Sequence, residues 1–306
     1  MNQPMKPQMK ETDMTPLTAM MGTYKKTAPL KDGSVASPLV RLDFADVDTA
    51  RKAFKDVVRG LKFDVAELAV VTFLQAYEAG KPYVMLPFVM NGMFHHKSIL
   101  CRADDDLQPQ NLAGKTVAMR SYPQTTPTWG RGILSDEYGV ELDKVRWLTQ
   151  EGAHVAEARD PEFVTRIDST LSLEDMLRAG EVDAIIAGGA LSGDPGIRTL
   201  IAEPKEAAAA AYRRTGVVPI NHVVTIRKEI AETRIDLVRE VFHMLLKSRE
   251  ASGELPPADG PDLQPVGFDA LRPALETVIR YAHEQKLISR RYAVEELYGN
   301  VGKILD

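Results

Sequence analysis

The feature that most constrains this chain is a regular exchange of short apolar runs for longer segments with helical spacing, sustained over most of its 306 residues. Strand-like runs fall at 40–44, 63–70, 83–89, 97–102, 115–119, 145–149, 183–187 and 217–226. Helical spacing falls at 48–59, 72–79, 127–138, 173–179, 234–250, 268–285 and 290–297, with an alanine-rich helical stretch after Thr199. Strands separated in this way by helices are buried between helical layers, which predicts an α/β class. Local punctuation agrees. Gly80, Gly139 and Gly180 suit helix ends, Thr126 suits an N-cap, and Pro127 suits a first helical position. At roughly 150 residues per domain, the length is sufficient for about two domains.

Composition removes several classes of function. Hydrophobic residues make up 44% and charged residues 26%, so the chain is globular rather than disordered. With 38 basic against 43 acidic residues, it has no cationic surplus for a phosphate backbone, and no nucleic-acid partner is expected. The single cysteine, Cys101, cannot close an intramolecular disulfide or build a thiolate metal site. No apolar run approaches the roughly 18 residues of a membrane span, so no membrane partner is expected. The opening residues 1–16 are polar and lack the apolar core of a secretory signal, which leads us to expect a cytoplasmic protein. Gly130-Arg131-Gly132 lies inside a helical pattern and lacks a third glycine, so it is no dinucleotide fingerprint. The glycines at Gly188 and Gly193 are not followed by Lys-Ser/Thr, and neither His-Glu-x-x-His nor Gly-x-Ser-x-Gly occurs.

What remains points to an anion-binding site with a proton donor. A strand ends at Met119 and a helix begins within a few residues. The N–H groups and partial positive charge of a helix start favour a carboxylate or phosphate. Arg120, Ser121, Tyr122, Thr125 and Thr126 are candidate donors there, and Trp129 is a candidate stacking group; a capped helix with a core tryptophan is the plainer reading. Among proton-transfer candidates, His95 and His96 are adjacent and point to opposite faces if extended. His222 sits inside an apolar strand, an odd place for a solvated residue. His154 and Glu157, followed by Arg159 and Asp160, read as a solvated face. Asp64 and Glu67 interrupt an apolar run on different faces of a strand, and Glu67 stands near the strand end where α/β folds often place a ligand contact.

Seven stretches, 63–68, 94–99, 112–117, 129–140, 180–184, 212–224 and 281–287, resemble the 4,5-dihydroxyphthalate decarboxylase-like family, which has the type II periplasmic-binding-protein fold. The most specific are Trp129-Gly130-Arg131-Gly132 with its following helix, and Arg213-Arg214-Thr215-Gly216 running on to Pro219-Ile220-Asn221-His222. The resemblance implies two α/β domains, 1–98 with 200–306 and 99–199, joined by two crossing strands with a ligand between them. It places Glu67, His96, Tyr122, Thr125, Trp129, Arg131 and His222 at family-matching positions. The chain departs from the family at Arg120 and Ser121, where Pro and Glu are usual, and at Gly92 and Gly189, near which arginines are usual. The implied activity is decarboxylation of a hydroxylated, phthalate-like acid by ring protonation and loss of CO2. His96 or His222 would be the proton donor, Glu67 its orienting group, and Arg120 with the Trp129 helix the anion holder. No cofactor is expected, with a divalent Mg or Mn left open, as is homo-oligomerisation. The alternative is a non-catalytic binding protein or sensor for a small carboxylate, because one fold hosts both.

Overall fold

The computed structural model describes residues 14–187 and 194–305; the polar opening segment and the glycines at Gly188, Gly189 and Gly193 lie outside them. The first half of the fold runs β1 (Thr15–Met20), α1 (Ala28–Lys31), β2 (Val40–Phe44), α2 (Phe54–Val58), β3 (Val65–Ala69), α3 (Val70–Glu78) and β4 (Tyr83–Gly92). The second sheet is built from β5 (Ile99–Arg102), β6 (Thr116–Met119), β7 (Arg146–Thr149), β8 (Val164–Arg166), β9 (Ala184–Ile186) and β10 (Ile197–Thr199). Two helices, α4 (Thr125–Tyr138) and α5 (Leu173–Arg178), connect its strands. The chain then returns through α6 (Pro204–Thr215) to β11 (Ile220–Arg227). It ends in α7 (Lys228–Thr233), α8 (Ile235–Ala251), α9 (Phe268–Glu284), α10 (Val294–Tyr298) and α11 (Val301–Leu305).

The first sheet has the order β2-β1-β3-β11-β4 and the second β10-β5-β9-β6-β7-β8. In the first, β11 is antiparallel to both neighbours, β3 and β4, so a strand from the C-terminal third is laid between two from the N-terminal third. The second sheet is covered on both faces, and its side chains alternate between two cores. Ile99, Cys101, Val117, Met119, Ala184 and Ile186 enter the large core, whereas Leu100, Ala118 and Ile185 join a smaller one with Leu173, Met176 and Leu177 of α5. Burial on both faces explains why these strands read as unbroken apolar runs. Among the described residues, no helix is long and apolar enough to cross a membrane.

Two local expectations are corrected. The helix expected over 48–59 is a 3-10 turn at Ala50–Lys52 followed by α2, because Ala53 leaves helical geometry with φ −108° and ψ 2°. Helix α4 starts one residue before the expected cap, with Gln124 as N-cap; it ends as expected at Gly139, which takes the left-handed conformation. Its two internal glycines serve packing. A Cβ on Gly132 would lie 2.1 Å from the Tyr281 ring, so glycine there lets α9 press directly on α4. Gly92 ends β4 with its Cα facing the Leu263 carbonyl oxygen, which leaves no room for a Cβ.

Candidate functional site

The register of β3 against β11 builds the centre of the site. His222 pairs with Ala69 and Val224 with Glu67, so all four side chains share one face and His222 is the diagonal neighbour of Glu67. The His222 Nδ1 lies 2.5 Å from Glu67 Oε1. Glu67 is fully buried, and its carboxylate also accepts from the Gly22 N–H at 2.9 Å and the Tyr24 O–H at 2.9 Å. A carboxylate receiving those two donors has acceptor capacity left for the imidazole, so Nδ1–H donates and Nε2 is the nitrogen that can exchange a proton with a ligand. Burial, and then the Glu67 charge, raise the Tyr24 phenol above its ordinary range and keep it a donor. Gly22 makes the arrangement sterically accessible, since a Cβ there would sit 2.5 Å from the Tyr24 ring.

His222 faces a cavity of about 410 Å³ whose wall also carries Arg51, Phe54, Thr72, Arg120, Thr125, Thr126, His154 and Asn221. The Arg120 carbonyl accepts from the N–H groups of Gln150 and Glu151 at 3.1 and 2.6 Å, which fixes the loop after β6. With its amide oxygen turned towards the guanidinium, Gln124 accepts from Arg120 Nε at 2.9 Å. Thr125 Oγ1 accepts from the Val71 N–H at 3.3 Å and ties the starts of α3 and α4 together. Two guanidinium groups and the first turn of a helix thus border the same space as the His222–Glu67 pair, an arrangement able to hold an anion beside a proton donor.

His154, which reads in the sequence as part of a solvated face, is partly buried. It lines the cavity, with Nδ1 2.9 Å from Thr72 Oγ1 and its ring edge-on to Phe54 at 5.5 Å; His222 contacts the same phenyl ring at 5.3 Å. Arg59, at the end of α2, donates to the carbonyls of Ala153 and His154 at 3.0 and 2.6 Å and holds this loop of the second sheet against the first. Glu157, paired with it in the sequence reading, turns away to Lys81 at 2.7 Å. No local signal marks His154, because its partners come from α2 and α3.

Burial, followed by the positive charges of Arg120, Lys55 and Arg59, pushes the His154 imidazole down from 6.5 to about 4. Burial also lowers His95 to about 3. Both folded values lie below the unfolded one, so the unfolded chain binds protons first as the pH drops. The stability these neutral rings contribute is therefore complete above about pH 6.5 and is lost as pH falls towards the folded values. Each ring contributes a slope of about 1.4 kcal/mol per pH unit inside that window. Urea midpoints are expected to fall between pH 6.5 and 4.5, less steeply for His154→Gln; a His154→Gln slope equal to the parent's would contradict this.

The other residues singled out from sequence divide sharply. Arg120, Thr125 and Thr126 line the cavity, and Glu67 stands behind His222. Trp129 does not reach it. Its Nε1–H donates to the Ile220 carbonyl at 2.9 Å, and its ring lies between His95 and Tyr281, a core position on the other side of β11. Arg131 is fully buried and donates to Gln285 Oε1 at 2.8 Å and to the Tyr122 carbonyl at 2.7 Å, with its guanidinium 3.7 Å from the centre of the Tyr122 ring. Tyr122 is correspondingly a core residue, and Ser121 donates to the Gly152 carbonyl at 3.0 Å. His96 bonds Glu137 at 3.1 Å near the far end of α4, away from the lining of this cavity, which removes it as the proton donor here. The adjacent His95 bonds Asn221 at 2.7 Å, so the two histidines do serve separate environments. Among the described residues no three His, Cys, Asp or Glu side chains are grouped to hold a metal ion.

No protein-family model matches the chain. It is 29% identical over 231 residues to the 4,5-dihydroxyphthalate decarboxylase of Comamonas testosteroni, a match covering 71% of this chain and 69% of that protein. Among solved structures it resembles the periplasmic sulfonate-binding protein SsuA of Methylobacillus flagellatus KT, with a TM-score of 0.56 at 10% identity over 96% of this chain and 94% of that one. It also resembles the desulfurization enzyme DSZB, with a TM-score of 0.51 at 14% identity over 95% and 98% of the two chains. These likenesses give the fold: two α/β units of the periplasmic-binding-protein type.

Proposed function

We propose that this relative of 4,5-dihydroxyphthalate decarboxylase removes a carboxyl group, as CO2, from a hydroxylated aromatic acid that carries a second carboxylate. The observation that carries the reading is the buried Glu67–His222 pair at 2.5 Å, bordering the same cavity as Arg120 and the first turn of α4. Direct loss of CO2 would leave an aryl anion, so the ring carbon must be protonated first. The phenolic O–H loses its proton to water as His222 Nε2–H delivers one to the carbon bearing the carboxylate, giving a dienone. The C–CO2 bond then breaks, its electron pair restores the aromatic ring, the ring oxygen becomes a phenolate that water protonates, and His222 Nε2 regains from solvent the proton it gave to carbon. Glu67 keeps the imidazole oriented throughout. Arg120, Thr125 and Thr126 hold the carboxylate that stays.

Incubation with a panel of hydroxylated benzene-dicarboxylates, while CO2 is followed, tests the reading. CO2 from one or more of them is the expected result. Parallel assays with Mn2+, Mg2+ and a chelator measure whether a divalent metal contributes. Thermal stabilisation by the same compounds with no CO2 from any would overturn catalysis in favour of the solute-binding role, which the likeness of fold to SsuA supports.

A further inference from the structure

We infer that His154, held in one tautomer by Thr72, recognises the ring hydroxyl of the ligand and makes the site selective for phenolic over plain aromatic carboxylates. The inference rests on the decarboxylase reading for its chemistry and on the cavity geometry for its placement. Thr72 is buried in the first turn of α3, and its hydroxyl makes one hydrogen bond among the described residues, to His154 Nδ1 at 2.9 Å. A buried hydroxyl donates where an acceptor is in reach, so the bond runs from Thr72 to Nδ1 and the proton of the neutral ring sits on Nε2. Arg59 fixes the main chain around the same residue by donating to the carbonyl oxygens of Ala153 and His154. The ring is further confined by the edge of Phe54.

The two histidines of the cavity therefore differ in kind. His222 has a carboxylate on Nδ1 and can cycle a proton through Nε2. His154 has a hydroxyl donor on Nδ1, and its burial among positive groups keeps it neutral at pH 7, so it is a fixed N–H donor. In the decarboxylation written above, negative charge moves from the departing carboxylate to the ring oxygen as the C–C bond breaks. A fixed, neutral N–H donor meets that oxygen both as the phenol, which accepts through its lone pairs, and as the phenolate, where the bond is stronger. A ligand without the hydroxyl leaves the donor unpaired in a largely buried position, and such a mismatch is costly.

The test measures ligand preference by calorimetric titration of phthalate, 4-hydroxyphthalate and 4,5-dihydroxyphthalate into the parent, His154→Ala and Thr72→Val proteins. The parent is expected to prefer a hydroxylated compound to phthalate by about tenfold or more, the worth of one good hydrogen bond. In His154→Ala that preference falls to about threefold or less, a pattern that general loosening of the fold, which weakens all three compounds alike, would not produce. Thr72→Val, which frees the tautomer without removing the ring, is expected to lose part of the same preference. No hydroxyl preference in the parent, or one retained by both variants, overturns the inference. CO2 release with an unchanged preference in His154→Ala would sink the role of His154 and leave the decarboxylase reading standing. Loss of preference without CO2 from any compound would do the reverse. Failure of all three compounds to bind overturns both.

Discussion

Replacing His222 by alanine is expected to lower CO2 release by at least about a thousandfold while leaving the urea midpoint and ligand affinity near those of the parent, because one ring delivers the proton on which the C–C cleavage depends. Its side chain is partly exposed to the cavity, so its removal leaves a small stability deficit rather than a collapsed core. Glu67→Gln tests the second half of the pair. The amide keeps the size of the carboxylate but loses a charge-assisted bond to Nδ1, and it presents an N–H where Gly22 and Tyr24 already donate. A loss of about a hundredfold in kcat with little change in KM is expected, since an orienting group acts on the transition state more than on binding. Turnover within about threefold of the parent in His222→Ala would assign the proton to another group.

The second large effect is on stability. Arg131→Ala is expected to destabilise the chain by roughly 3–5 kcal/mol, against a total that is about 5–15 kcal/mol for native domains. The substitution leaves Gln285 Oε1 and the Tyr122 carbonyl without their donor and empties the space beneath the Tyr122 ring. Burial lowers this guanidinium to about 10, still well above neutral pH, so it is a charge held inside by hydrogen bonds and aromatic faces. Arg131→Lys should recover little, because a single ammonium cannot span both acceptors. Urea denaturation measures the cost. A loss below about 1 kcal/mol accompanied by loss of ligand binding would return Arg131 to the role the resemblance implied for it.

That contrast shows why α4 misled. From Thr125 to Leu134 nearly every residue of the helix is buried, so no polar stripe separates the face on the cavity from the face on the core. Thr125 and Thr126 reach the ligand space from the first turn, whereas Trp129 and Arg131, one turn on, point into the packing against β11, α9 and the loop after β6. A helix buried all round carries no periodic signal of which side is functional. His154 was hidden for the opposite reason: charged neighbours in a loop gave it the look of solvent, while Thr72, 82 positions earlier, supplied its partner.

The sequence by itself determined the α/β class and most element positions, because strand alternation, helix spacing and glycine or proline punctuation are interactions among residues a few positions apart. It also marked His222 and Glu67 as polar residues in apolar strands, which is unusual enough to notice. Their meeting was decided only in three dimensions. The two lie 155 positions apart and touch because β11 inserts between β3 and β4 in one register, and a shift of one residue would turn His222 to the opposite face. The same holds for the cavity as a whole, since its walls come from α2, α3, β11, the start of α4 and the His154 loop. Burial and pairing over such separations depend on packing that no local pattern encodes.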